Sequence, residues 1–468
     1  MVTATPQKTV PKVIAGGAAL FGGALLFLPV FDGMPLMAQQ ALGLVVICAS
    51  LWATEVVPAH LASFIFFFLA LVVGGQPASV VFSGFHSGAT WLIFGGIVLG
   101  YAINSTGLGA RFAEGLISRR DHGYSGLIIG IGIVAFLLAF VMPSAMGRVV
   151  LLVPIISALA DKLGYGRDSK GRAGMVLTMV FATALPACAI LPAAVPNIIL
   201  SGAAESIYGI TFRYGEFLFL HLTVFGSLSL LLVLGLGLTL FREAPPRRLV
   251  PETRGALSGV EKRLMGVLAL TLLFWATDTF HGVAPAWVAL GAAVVCLLPV
   301  THLVPASVMV EKVNYGPWFF VAGIVGMGAM VSHSGLGDYL GEHLIRSIGI
   351  APNQDAYNFF AIILTGGFLS LGVNYAGVPA ILSPLMGDLA AAAGWPLETM
   401  LMNQVAGFFF ILIPYQVAPI FTGMLLAGIP QRYGFRMCLS YTAIHLLVVT
   451  PLNFLWWRSL GMFVTPGS

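Results

Sequence analysis

Long apolar runs separated by short polar connectors follow one another from Val13 to Trp457. A helix of about 20 apolar residues crosses a hydrocarbon core of about 30 Å, so this pattern predicts membrane-spanning helices. We predict eleven spans, near residues 13–32, 39–57, 60–75, 90–108, 174–203, 214–241, 264–280, 284–301, 316–336, 398–427 and 434–457. The first run follows a basic tail and has no small-residue cleavage site, which favours a retained span over a signal peptide.

Two further apolar stretches, residues 123–163 and 357–394, are each interrupted in the middle. The interruptions read "MPSAMG" and "VNYAG". Each stretch is either a re-entrant hairpin, which enters and leaves the membrane on one side, or a pair of spans. Charge does not choose between them, because both arrangements leave the flanking connectors on the same side. The broken tips favour the hairpin.

Four blocks of sequence occur twice in the same order. "LWATEVVP" corresponds to "FWATDTFH", and "WLIFGGIVLGYAINSTGLG" to "WFFVAGIVGMGAMVSHSGLG". Later, "PSAMGRVVLLVPI" corresponds to "VNYAGVPAILSPLM", and "ILPAAVPNIILSG" to "LIPYQVAPIFTG". The ordered repetition predicts an internal duplication. Because the second copy begins an odd number of crossings after the first, we expect two inverted-topology repeats.

Composition and charge place the chain in a membrane. Of its 468 residues, 58% are hydrophobic and 9% are charged, whereas soluble domains carry about 25% charged residues. The mean hydropathy is +0.96. If the N-terminus is cytoplasmic, lysines and arginines concentrate in the connectors after even-numbered spans. The positive-inside rule therefore predicts a multi-pass protein of the cell (inner) membrane with a cytoplasmic N-terminus and a C-terminus outside.

Helix breaks recur at matched positions of the two repeats. They lie at residues 143–147, 193–197, 374–379 and 414–419. Non-helical backbone inside a bilayer is tolerated only where protein or a wet cavity satisfies it, and paired breaks near the midplane are typical of secondary transporters. We therefore predict that the breaks form a substrate site, made by Ser144, Ala145, Met146, Gly147, Arg148, Pro196, Asn197, Asn374, Tyr375, Ala376, Gly377 and Gln416.

Arg148 places a full positive charge inside an apolar run. An arginine at the centre of a membrane helix costs about 2.5 to 3.5 kcal/mol on insertion scales, so its side chain must face protein or water. One hypothesis is that it binds an anionic substrate, because its planar fork donates two bonds to a carboxylate. The alternative is a structural partner, either Asp161 or a carbonyl at a broken helix end.

Several function classes lack sequence support. The chain contains no nucleophile elbow, no phosphate-binding loop and no cluster with metal-ligand spacing. We therefore expect a protein that is not an enzyme, has no organic cofactor and binds no nucleic acid. Its expected partners are a small anion and the lipid bilayer.

The quoted blocks resemble the divalent anion sodium symporter family of the ion transporter superfamily, over about residues 41–456. "LWATEVVP", the Ser144 tip followed by Pro154, and "ILPAAVPNIIL" are the segments that carry the resemblance. It implies an all-α polytopic homodimer, with about eleven transmembrane helices, two re-entrant hairpins and an elevator mechanism.

The resemblance also implies a division into domains. Residues 1–38 would form the tail and first span, residues 39–241 the first repeat, residues 242–263 a cytoplasmic linker and residues 264–460 the second repeat. The scaffold would comprise spans 39–108 and 264–336. The transport domain would comprise hairpins 123–163 and 357–394 with broken spans 174–203 and 398–427, and spans 214–241 and 434–457 would end the repeats.

The tips depart from the Ser-Asn-Thr pattern that the resemblance leads us to expect. Here they read Ser144-Ala145-Met146 and Asn374-Tyr375-Ala376. If sodium is the coupling ion, its candidate ligands are Ser144, Ala194, Asn374 and Val417. In the other hypothesis, Arg148 supplies as a fixed charge the positive charge that bound sodium would supply. We expect a secondary active carrier of di- or tricarboxylates, cation-coupled. The alternatives are a sulfate or organosulfonate carrier working by exchange or proton coupling, and a gated anion channel.

Overall fold

The computed structural model describes residues 9–31, 33–54, 56–111, 123–246, 256–305 and 307–464. Within these ranges the chain is helical and contains no strand. The longer helices of the first part are α1 Thr9–Phe27, α2 Leu36–Thr54, α3 Ala59–Val72, α4 Gly88–Thr106, α5 Gly123–Val141, α6 Ala145–Lys162, α7 Lys170–Ala184, α8 Val195–Tyr208 and α9 Tyr214–Leu240.

The second part is helical as well. Its longer helices are α10 Gly259–Ala276, α11 Pro285–Leu297, α12 Gly316–His333, α13 Leu336–Ile348, α14 Asp355–Leu382, α15 Met386–Ala393, α16 Leu397–Asn403, α17 Ala418–Leu426 and α18 Gln431–Ser459. The matched tryptophans of the two predicted repeats make corresponding hydrogen bonds. Trp52 Nε1 donates to Ala59 O and Trp275 Nε1 donates to Pro285 O, each at 3.0 Å.

Eight helices in the described ranges are long and apolar enough to cross a membrane, and three shorter apolar helices accompany them. Two of the eight, Gly123–Val141 and Asp355–Ala393, fall in the stretches predicted as hairpins. The predicted number of eleven spans therefore stays a prediction.

The helices pack as two groups. The first contains α1 to α4 and α10 to α12, and the second contains α5 to α9 and α14 to α18. Helix α7 is the core of the second group, because every residue from Gly171 to Ala184 is buried. Helix α8 lies between the groups, against α4 and α12 on one side and α14 on the other.

Small and acidic side chains of α8 form its contact with the first group. A Cβ at Gly202 would lie 2.8 Å from Ala89 Cβ and from Val325 Cγ2, so only glycine permits this approach. One turn further, Glu205 Oε2 accepts hydrogen bonds from Ser87 Oγ (2.9 Å) and Gly88 N (2.7 Å). Since Gly88 begins α4, this carboxylate caps a helix of the other group.

The unwound parts of the two broken spans are longer than predicted. The first runs from the end of α7 at Ala184 to the start of α8 at Val195, through 3₁₀ turns at Pro186–Ala189 and Leu191–Ala193. The second separates α16 from α17. The sequence signals at residues 193–197 and 414–419 mark only the downstream end of each break. The middle of the second is held by tertiary contacts, since Thr442 Oγ1 bonds both the N–H (2.9 Å) and the carbonyl (2.7 Å) of Ile411.

Candidate functional site

A cavity of about 500 Å³ lies where the two helix groups face each other. Both predicted hairpin tips line it, through residues 143–146 and 373–377. The first residues of the helices that follow the two breaks, Val195 and Ala418, line it as well. The structure thus brings the four predicted breaks together around one space, although they are far apart in sequence.

The first tip is a capped helix start. Ser144 Oγ accepts the N–H of Gly147 at 3.1 Å, and α6 begins at Ala145. Ser144, Ala145 and Met146 line the cavity, whereas the predicted Gly147 does not. The first N–H groups of a helix have no acceptor within the helix, so those of Ala145 and Met146 are available to a ligand.

The second tip repeats this cap with a different residue. Asn374 Oδ1 accepts the N–H groups of Ala376 (3.0 Å) and Gly377 (3.3 Å). Asn374 has φ 56° and ψ 169°, which breaks α14 into two helical parts. This conformation suits glycine and is strained for other residues, and such strain is typical of functional sites. Asn374, Tyr375, Ala376 and Gly377 all line the cavity.

The helices that follow the breaks begin at the cavity without a side-chain cap. This holds for α8 at Val195 and for α17 at Ala418. Each has a proline as its second residue, Pro196 or Pro419, which lacks an N–H group. Four helix N-termini therefore face one cavity: α6, the second part of α14, α8 and α17. The partial positive charge of helix N-termini makes such a space attractive to an anion.

Three predicted site residues lie behind the cavity lining rather than in it. Pro196 is buried in the first turn of α8. Asn197 Nδ2 donates to Cys188 O (2.8 Å) and Ile190 O (3.2 Å). Gln416 Oε1 accepts the N–H groups of Leu412 (2.7 Å) and Ile413 (3.0 Å). These amides satisfy the backbone of the unwound segments, which an apolar side chain would leave unpaired.

Arg148 also lies behind the first tip and does not line the cavity. Its side chain is fully buried. Nη2 donates to Thr183 O at 2.9 Å and to Ala193 O at 3.0 Å, and Nη1 donates to Met142 O. These are carbonyls at broken helix ends, one of the two structural alternatives. The other, Asp161, pairs with Arg172 instead.

The candidate sodium ligands already have hydrogen-bond donors. In the second repeat, Asn374 Oδ1 accepts two N–H groups, and Val417 O accepts those of Ile420 (2.9 Å) and Phe421 (3.2 Å). In the first, Ser144 Oγ accepts the N–H of Gly147 and Ala194 O that of Ile198 at 3.3 Å. The carbonyls that converge nearby hold the Arg148 guanidinium. The four candidate oxygens thus accept hydrogen bonds from the protein itself, and sodium binding by them stays a prediction.

Sequence reasoning missed the wall opposite the tips. It is formed by the first helix group, with Trp52 on α2, Ile93 on α4, and Phe320 and Met327 on α12. Trp52 and Phe320 pack edge to face with ring centroids 5.8 Å apart. The repeated tryptophan motif was a signal for a shared role, but helix periodicity alone does not show which apolar residues line a cavity.

Among the described lining residues no side chain is charged. Comparison with known proteins shows the family of the chain. A family model described as the sodium:sulfate symporter transmembrane region matches residues 17–463. The chain belongs to this family. The resemblance to the divalent anion sodium symporters is thereby confirmed.

Two relatives align over most of their length. The L-tartrate/succinate antiporter of Escherichia coli K12 is 26% identical over 399 residues, which cover 80% of this chain and 79% of the antiporter. A membrane protein of Cupriavidus necator is 24% identical over 489 residues, which cover 96% of this chain and 92% of that protein.

Solved structures share the fold at low identity. The YdaH transporter of Alcanivorax borkumensis has a TM-score of 0.55 and 16% identity, with 83% of this chain and 89% of YdaH covered. The MtrF efflux pump of Neisseria gonorrhoeae has a TM-score of 0.57 and 14% identity, with 96% of this chain and 99% of MtrF covered. The chain is a helical membrane transporter of the symporter family.

Proposed function

We propose that this symporter-family member is a secondary carrier that exchanges small dicarboxylates across the membrane. The observation that carries the proposal is the cavity at which four helix N-termini meet. Each half of the chain contributes one tip and one broken-span helix, so the two ends of the site are alike. A short chain with a carboxylate at each end matches that arrangement, because each carboxylate would meet one set of N–H groups.

The apolar wall favours an organic anion over sulfate. Trp52, Ile93 and Phe320 offer surface to a hydrocarbon segment, and sulfate has none. The family description names sulfate, which makes it the second candidate. The tartrate/succinate antiporter relative supports dicarboxylates and exchange. Exchange of one dianion for another needs no coupling ion.

The two helix groups support a division of the chain into a scaffold and a transport domain. We infer that α5 to α9 and α14 to α18 move together as an elevator against α1 to α4 and α10 to α12. Hairpins 123–163 and 357–394 would be re-entrant, and the carrier would act as a homodimer in the inner membrane with a cytoplasmic N-terminus. Helix α8, which touches both groups, would lie at the sliding surface.

Counterflow in proteoliposomes tests the function. Labelled succinate uptake is compared between vesicles loaded with succinate and empty vesicles, with tartrate and sulfate as competitors. We expect loaded vesicles to take up at least about tenfold more, with inhibition by tartrate; strong inhibition by sulfate alone would favour the second candidate. Equal uptake into loaded and empty vesicles by the unaltered chain would contradict exchange, and uptake that also fails to saturate with succinate would indicate a channel.

A pair of variants on one helix tests the site. Ala145 lines the cavity, whereas Val150 is 52% exposed on the outer face of the same helix, α6. Ala145→Phe fills part of the cavity and should abolish counterflow. Val150→Phe adds the same ring outside and should leave counterflow unchanged. Normal counterflow by Ala145→Phe would show that the anion binds elsewhere.

A further inference from the structure

Arg148 is a buried cation whose partners are backbone oxygens. Its guanidinium joins carbonyls from three places: Met142 just after α5, Thr183 in the last turn of α7, and Ala193 in the unwound segment. Carbonyls at helix C-termini and in unwound segments lack partners within the helix and carry partial negative charge. In carriers with broken helices, oxygens of this kind coordinate the coupling cation.

No carboxylate neutralises this charge in the part of the chain that the structure describes. The ion pairs there include those of Arg111 with Glu261, Arg172 with Asp161, Arg213 with Glu216 and Arg346 with Glu342. Arg148 is instead one helical turn behind the first tip, where its N–H donates to Ser144 O at 3.0 Å. An anion bound at the first tip would therefore supply the opposite charge that none of the described side chains provides to Arg148.

The second repeat has no such charge. Val378 stands at the position that corresponds to Arg148. At the second break, the neutral amide of Gln416 donates to Phe410 O at 3.2 Å and to Ser370 Oγ at 2.6 Å. The cation is therefore an addition to one end of a site whose two ends are otherwise alike.

We propose that the Arg148 guanidinium takes the place of a coupling sodium ion at the first-repeat end of the site and thereby makes the carrier an exchanger. This inference rests on the proposed function. A sodium ion leaves together with the substrate, so an empty symporter crosses without it. A tethered guanidinium cannot leave. The empty carrier therefore keeps a buried charge without its anion, which opposes crossing, and a second anion must bind before the return.

The first test needs only the unaltered protein. Succinate binding to the purified full-length chain is measured by isothermal titration calorimetry in sodium chloride and in choline chloride. We expect the same affinity for succinate in both salts, within about twofold, because the cation at the first-repeat end is the Arg148 side chain itself. Strict dependence of succinate binding on sodium would overturn the inference.

The second test separates the charge of Arg148 from its hydrogen bonds. Arg148→Gln keeps N–H donors for the carbonyls and removes the charge, and Arg148→Lys keeps the charge. We expect Arg148→Gln to bind succinate about tenfold more weakly or worse, and its uptake into empty vesicles to approach that into loaded ones. Arg148→Lys should behave like the unaltered chain. Unchanged affinity and exchange in Arg148→Gln would show that the residue is only structural.

A third variant asks whether the oxygens can hold a free cation. Arg148→Ser vacates the carbonyls, and we expect its succinate binding to be restored by sodium but not by potassium or choline. If Arg148→Ser loses succinate binding and sodium does not restore it, the inference that Arg148 takes the place of sodium is wrong. Arg172→Gln is the matched control, because Arg172 is a second buried arginine with its own partner, Asp161; it should not change the sodium response.

Failure of the inference and failure of the proposed function give different results. If the unaltered chain shows no counterflow with succinate, tartrate or sulfate, the proposed function fails. If the unaltered chain exchanges an anion and Arg148→Gln exchanges it equally well, only the inference about Arg148 fails.

Discussion

At the residue scale, the two tips cap the helices that follow them with different side chains. A helix start needs an acceptor for its first N–H groups, and Ser144 and Asn374 each supply one. Only Asn374 does so from a strained backbone conformation. The hydrogen bonds of its side chain to Ala376 and Gly377 hold that conformation, and strain of this kind costs about 1 to 3 kcal/mol.

Substitutions at Asn374 should separate the stability gained from its side-chain cap from the stability lost to its strained backbone. Asn374→Ala removes the cap but keeps a side chain in a conformation that suits glycine, so we expect a loss of about 1 to 2 kcal/mol of stability. Asn374→Gly also removes the cap but adopts the conformation freely, and should be the more stable of the two. Thermal unfolding of both in detergent measures this. A lower melting temperature for Asn374→Gly than for Asn374→Ala would show that φ 56° carries no strain.

At the element scale, the Glu261 carboxylate stabilises the start of α10. Ser258 and Glu261 form a capping box, and Glu261 Oε1 also accepts a hydrogen bond from Arg111 Nε at 2.6 Å. The hydrogen bonds to Ser258 and Arg111 lower the pKa of Glu261. The ionised carboxylate is therefore favoured in the folded state. Its contribution is complete above the ordinary pKa of glutamate and is lost as the pH falls through the lowered value.

Because Glu261 stabilises the folded chain only when its carboxylate is ionised, the effect of Glu261→Gln on stability should depend on pH. We expect Glu261→Gln to lower the melting temperature at pH 7, and the difference from the unaltered chain to shrink as the pH falls below about 4.3. Thermal unfolding at a series of pH values measures it. The control is Glu342→Gln in α13, which breaks an exposed i,i+4 pair with Arg346 and should have little effect at any pH. A constant difference across the series would contradict a role for the charge.

At the scale of the whole molecule, the elevator proposal requires α8 to move against α4. The hydrogen bond between Ser87 Oγ and Glu205 Oε2, at 2.9 Å, joins the two helix groups in this structure. Any movement of one group against the other must break it. A covalent bond at this position would therefore prevent the movement while leaving the cavity itself unchanged.

Disulfide cross-linking tests that requirement. We expect the double variant Ser87→Cys with Glu205→Cys to lose counterflow on oxidation and to regain it on reduction. The four native cysteines are buried and free, which limits unwanted pairing. The control pair, Asp161→Cys with Arg172→Cys, lies within the second group and should leave counterflow intact on oxidation. Full counterflow by the oxidised first pair would rule out sliding of α8 against α4.

Local sequence determined where most helices begin and end, because the signals are themselves local. Apolar runs long enough for a bilayer predicted α2, α4 and α12, and Pro143 and Ser144 marked the first tip. The family, too, was evident from short motifs, and the family model confirms it. The amphipathic helix α13 was missed, since its polar face interrupts the apolar pattern on which the predictions depended.

Only the tertiary structure decided what surrounds each of these residues. The tips, the breaks and the wall with Trp52 and Phe320 meet because helices distant in sequence pack together. The sequence left Arg148 with alternative partners, since a guanidinium can reach a substrate, a carboxylate or a carbonyl from the same position. Three carbonyls from separate parts of the chain surround it in the fold. The sequence alone thus determined that a charge is buried beside a broken helix, and tertiary packing decided which atoms it faces.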